Sequence, residues 1–75
     1  MMPDTTVGTR LQQARERRGW NVTALARQAR VSETLVRRLE QDRITIVTGR
    51  KLPVVARALG LDLRDLLASD DDRAA

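Results

Sequence analysis

Glu33, Thr34, Arg37, Arg38 and Gln41 recur at spacings of one, three and four residues. At roughly 100° per residue they share one side of a helix, while Leu35, Val36 and Leu39 share the other. The polar side offers two guanidinium forks, a carboxylate, a hydroxyl and an amide. Arginine can fork onto guanine O6 and N7, glutamate can accept from cytosine N4, and threonine can meet a thymine methyl. A helix of this size fits the major groove of duplex DNA, so the chemistry expected here is non-covalent recognition of base edges and phosphates.

Covalent chemistry finds little support. There is no histidine and no cysteine, which removes the commonest general base, thiolate nucleophiles and the usual soft metal ligands. No pair of Asp or Glu residues has the apolar neighbours that would raise a carboxyl pKa. The residue types therefore argue against an enzyme, and no cofactor or metal is expected.

Fourteen basic residues stand against ten acidic ones, for a net charge of +4. The excess is not evenly spread: residues 1–58 carry a balance of +7 and residues 59–75 one of −3. A basic body is the electrostatic footprint of a nucleic-acid binder, although an arginine-rich solvated surface would give the same total. Thirteen of the fourteen are arginine, the better fork for guanine and phosphate; a GC-rich coding genome would produce the same bias. No apolar run approaches the roughly 20 residues of a membrane span, and nothing resembles a secretory signal. A cytoplasmic, nucleoid-associated protein is expected.

The elements that would position the reading face are short and helical, because 75 residues support one small core. Residues 1–5 read as a disordered start, 6–68 as the domain and 69–75 as an acidic polar tail. A first helix is expected from Thr6 to Arg18, with Val7, Leu11 and Ala14 inward and Gly19 as a left-handed cap. Trp20, the single aromatic residue, belongs with the core rather than with a stacked base. Asn21 caps a second helix that runs to Ala29 with Val22, Leu25, Ala26 and Ala29 inward. Ser32 caps a third, and Val31 and Val36 have the spacing of a hydrophobic staple. That helix ends near Gln41, with Asp42 as a left-handed terminator. Residues 43–49 are rich in β-branched side chains and favour an extended loop over a short strand paired between subunits. Leu52-Pro53 opens a fourth helix, with Leu52, Val55, Ala56 and Leu59 inward and Gly60 as its cap. Asp62 caps a fifth that reaches Ala68, burying Leu63, Leu66 and Leu67.

Several motifs in order resemble the phage repressor and Cro-type helix-turn-helix family, often called XRE-like. They are Gly19-Trp20, Leu25-Ala26, Val31-Ser32, Arg38-Leu39-Glu40, Leu52-Pro53, and Ala56-Arg57-Ala58-Leu59-Gly60-Leu61 leading to Leu66-Leu67, spanning residues 7–67. The resemblance implies an all-α, compact bundle of five short helices that binds specific duplex DNA, usually as a repressor and as a homodimer on a two-fold operator. It makes the third helix the recognition helix and Ser32, Glu33, Thr34, Arg37 and Arg38 the base readers. It also implies a structural ion pair between Arg15 and Glu40, and Glu40 lies beside the apolar face of the helix rather than opposite it. The chain departs from the family at three places. Val22 stands where a glutamine usually meets phosphate, so backbone amides or Thr23 must serve. Arg30 and Asp42 stand where glycine is frequent, so the turn at Arg30 is strained or altered.

Phosphate contacts are expected from Arg50 and Lys51 ahead of the fourth helix, with Arg27 and Arg43 as further candidates. A monomer covers about one half-site, and a two-fold dimer would set its recognition helices about 34 Å apart. Apolar residues available for a dimer surface are Leu61 and Leu63, which ordinary core packing would also explain, or Ile44, Ile46 and Val47. The alternative function is a protein-interaction module, such as an antitoxin or a regulator-binding adaptor, in which DNA binding is secondary.

Overall fold

The first four helices of this chain begin where a side chain satisfies the first free amides. In the computed structural model, which describes residues 6–67, Thr6 accepts from the Thr9 amide at 3.1 Å and opens α1, Val7–Arg17. Asn21 accepts from the Ala24 amide at 2.8 Å and opens α2, Val22–Ala29. Ser32 accepts from the Leu35 amide at 3.0 Å and opens α3, Glu33–Glu40. Gly19 and Gly60 sit at φ 72° and 74°, the left-handed positions expected of them after α1 and before the last helix. The stated disordered start and acidic tail lie outside the described residues, as do Ala68 and the side chain of Leu67.

The segment expected as an extended loop or strand is instead a helical turn, α4, Ile46–Gly49. The cause is a reciprocal cap. Thr45 Oγ1 accepts from the Thr48 amide at 3.2 Å, and Thr48 Oγ1 accepts from the Thr45 amide at 2.8 Å. Thr48 is buried and its hydroxyl donates to the Arg43 carbonyl at 3.4 Å. Two satisfied amides outweigh the weak β-preference of Ile46 and Val47. After α4 come α5, Leu52–Ala58, with Pro53 in its first turn, and α6, Leu63–Leu67. At the start of α6 the Asp62 amide donates to the Asp65 carboxylate at 3.0 Å, so Asp65 supplies the side-chain cap contact there. The five expected helices are thus present, no strand occurs among the described residues, and α4 is an addition.

Leu11, Leu25, Val36, Leu39, Val55 and Leu66 are fully buried, and Ala26, Ala29, Leu52, Ala56 and Leu59 complete the core. Each large aliphatic side chain withdrawn from water contributes about 1.5–3 kcal/mol, which suffices for so small a fold only because every helix but α4 supplies one. Val7, Ala14, Trp20, Val22, Leu35, Leu61 and Leu63 pack around this centre and are partly buried. Trp20 therefore caps the core edge rather than filling its middle.

Three arginines hold the helices together. Arg15 of α1 forks onto Glu40 at the end of α3, Nε to Oε2 at 2.7 Å and NH2 to Oε1 at 3.1 Å, and its third nitrogen donates to the Trp20 carbonyl at 2.9 Å. The hydrogen bond to Glu40 raises the Arg15 pKa against an opposing effect of burial. A raised arginine keeps its stabilising charge at every lower pH and loses it only in strong alkali. Arg18 donates to the Leu59 carbonyl at 3.0 Å while its guanidinium lies 5.1 Å from the centre of the Trp20 ring. It thereby supplies a cation to the C-terminal end of α5 and covers the indole. Arg10 donates to the Asp65 carbonyl at 2.9 Å, fastening α1 to α6.

The start of α1 rests directly on the end of α3. A Cβ at Gly8 would lie 2.4 Å from the Glu40 carbonyl oxygen, so only glycine permits this approach. The Gly8 amide, one of the free donors of the first turn, gives its hydrogen bond to Asp42 Oδ1 at 2.8 Å.

Candidate nucleic-acid interface

α3 is pinned on one side and open on the other. Val36 and Leu39 are buried against α1 and α2, whereas Ser32, Thr34, Arg37, Arg38 and Gln41 are exposed. Glu33 is half-buried at the first turn, where the positive end of the helix favours a carboxylate. The turn from α2 to α3 is closed by Arg30 in a left-handed conformation, φ 60° and ψ 45°, with the Val31 amide bonded to the Ala26 carbonyl at 2.9 Å. The departure from glycine at this position leaves the turn geometry in place and puts the strain on Arg30. Asp42, the other departure, is likewise left-handed at φ 62°.

The expected base readers are not equivalent. Arg38 is exposed and makes no ion pair among the described residues. Arg37 donates to Glu33 Oε1 at 3.2 Å, and Thr23 of α2 donates to Glu33 Oε2 at 2.9 Å. One expected phosphate contact and two expected base readers are therefore brought together in a single chain of hydrogen bonds. With side chains 55% and 41% exposed, the Arg37–Glu33 pair is a surface interaction worth about 0.2–1 kcal/mol, easily exchanged for other partners.

The expected phosphate contacts Arg27, Arg43, Arg50 and Lys51 are all exposed. Arg27 lies on α2, Arg43 follows α3, and Arg50 and Lys51 form the joint between α4 and α5. From Arg43 to Leu61 the chain carries four basic residues and no acidic one, so nothing in that stretch offsets the charge presented beside α3. Ile46 and Val47 of α4 are 82% and 74% exposed, and Ile44 is also exposed. Leu61 and Leu63, the other suggested contact residues, are partly buried against the core.

A family model described as a helix-turn-helix domain matches residues 6–69. The chain belongs to the helix-turn-helix domain family. This is a DNA-binding family, and its match spans every element from α1 to α6. No curated protein and no solved structure matches the chain. Among the described residues, no helix of this helix-turn-helix domain is long and apolar enough to cross a membrane.

Sequence reasoning overlooked two features of the domain. Arg10 and Arg18 add to the basic balance of residues 1–58, yet each donates to a backbone carbonyl, 55 and 41 residues away. No local pattern announces such contacts. The link between Glu33 and Arg37 was readable, since four-residue spacing on a helix places opposite charges together.

Proposed function

We propose that this helix-turn-helix domain is a sequence-specific, double-stranded-DNA-binding transcription regulator of the repressor and Cro-like type, acting as a repressor and reading the major groove with α3. One observation carries the reading: Thr34, Arg37, Arg38 and Gln41 stand exposed together on a helix whose opposite side is locked into the core by Val36 and Leu39. Base edges are read by Ser32, Glu33, Thr34, Arg37 and Arg38. Thr23, Arg27, Arg43, Arg50 and Lys51 neutralise phosphates and set the register of docking. Two copies bind a two-fold operator, and the apolar side chains of Ile44, Ile46 and Val47, rather than Leu61 and Leu63, are free to meet between them. The resulting complex would reside with the nucleoid.

Selection of bound sites from a random duplex pool, followed by titration at several salt concentrations, tests this. The selected site should hold two-fold symmetry, and log K should fall with log salt by about 0.9 per phosphate contacted. Changing Arg50 and Lys51 to alanine should weaken binding to all sequences alike and flatten that slope. The exposed Ile46 and Val47 also favour the rival reading, a protein-interaction module such as an antitoxin or adaptor. That reading gains if no sequence is enriched and the titration shows no salt dependence.

A further inference from the structure

We infer that Glu33 is a latch that sets specificity by exclusion: it occupies two DNA-facing donors at once and releases them only to a duplex that offers its carboxylate a hydrogen bond. The inference rests on the reading of α3 as the DNA-reading helix and names how that face discriminates.

Glu33 uses its two oxygens separately. Oε2 accepts from Thr23 Oγ1 at 2.9 Å and Oε1 accepts from an Arg37 nitrogen at 3.2 Å. The carboxylate thus bridges the first turn of α2 and the second turn of α3, standing where a phosphate would meet those same donors. For Thr23 to reach a phosphate and Arg37 a base, both bonds must open, which leaves a negative charge facing the polyanion. Only a base donor in the major groove, the amino group of cytosine or adenine, restores a partner to it. A duplex without that donor at this position meets an uncompensated like charge, which is how an interface rejects a wrong partner. The exposure of the pair keeps the latch weak enough to open. Arg38 stands outside it, since no ion pair among the described residues engages it, and gives an initial contact that needs no release.

The test titrates the full chain with a random-sequence duplex and with the site selected above, at several salt concentrations. Four proteins are compared: wild type, Glu33→Gln, Arg37→Ala and the double variant. Glu33→Gln should bind the random duplex about 2- to 5-fold more tightly, the scale of one exposed charge interaction. Its salt slope on that duplex should steepen by about 0.9, because the freed Arg37 takes up one more phosphate. Preference for the selected site should fall by about 5-fold or more, the cost of losing one base contact. With Arg37 already alanine, Glu33→Gln should no longer change the slope. A purely structural role would move melting temperature and both affinities together and leave the slope alone. Equal weakening on both duplexes, or an unchanged slope in Glu33→Gln, overturns the latch while the wild-type salt dependence still supports DNA binding. A wild-type protein that shows no salt-dependent binding to either duplex overturns both.

Discussion

The two turns flanking α3 share a backbone conformation and differ in everything that holds it. Arg30 before the helix and Asp42 after it are the non-glycine residues with positive φ, at 60° and 62°, among the described residues. Arg30 is exposed and, among the described residues, bonds only through its own backbone. Asp42 uses its carboxylate to receive the Gly8 amide of α1 at 2.8 Å, and the neighbouring Glu40 is forked by Arg15. The C-terminal end of α3 is therefore anchored through its side chains, whereas the polar side chains at its N-terminal end are joined by exposed, replaceable bonds. Under the proposed function, a helix so fixed keeps its position in the fold while the side chains at its other end stay available for exchange.

The contrast can be broken most forcefully at the anchor. Arg15→Ala or Glu40→Ala should each destabilise the domain by about 3 kcal/mol, because the remaining charge is left largely buried without its partner. Thermal melts should show the double variant losing less than the two single losses together. Loss of DNA binding should follow loss of folded protein and not exceed it. A Glu40→Gln variant that melts normally yet fails to bind would move Glu40 from scaffold to interface.

Gly8→Ala comes next. A methyl group forced against the Glu40 carbonyl must push α1 off α3, at a cost of about 2–3 kcal/mol. A melting temperature equal to wild type would show that the two helices are not in close contact.

The two left-handed positions should then respond to glycine with opposite signs. Asp42→Gly relieves backbone strain but removes a charge-assisted hydrogen bond to a helix N-terminus, for a net loss of about 1 kcal/mol. Arg30→Gly relieves the same strain and removes no side-chain bond seen among the described residues, so it should stabilise by about 0.5–1 kcal/mol after the added freedom of the unfolded chain. Denaturant titrations of both variants measure this directly. Equal shifts in one direction would erase the distinction between the two ends.

Much of the anchored framework was legible in the residue pattern, because caps and apolar spacing are local. Asn21 and Ser32 opened their helices, Gly19 and Gly60 closed theirs, and Leu25, Val36, Leu39, Leu52, Val55 and Leu66 went inside. α4 was not legible: its cap is a Thr45–Thr48 pair in a β-branched segment, without the glutamate or glutamine that usually marks such a box. The role of Gly8 was hidden for a different reason, since the surface it admits comes from residues 32 positions away. The reading face was visible as a set of side chains, but its internal bonding was not. Thr23 and Glu33 meet only after the turn at Arg30 has folded α2 onto α3.

The division between the anchor and the proposed reading end is tested most directly by Arg38→Ala, followed in parallel by thermal melting and by titration with the selected duplex. Arg38 is exposed and unpaired among the described residues, so stability should stay within about 0.5 kcal/mol of wild type. Affinity for the selected site should fall by about 1–3 kcal/mol, with relaxed preference at one base pair per half-site. Unchanged affinity together with unchanged base preference would contradict α3 as the reading helix.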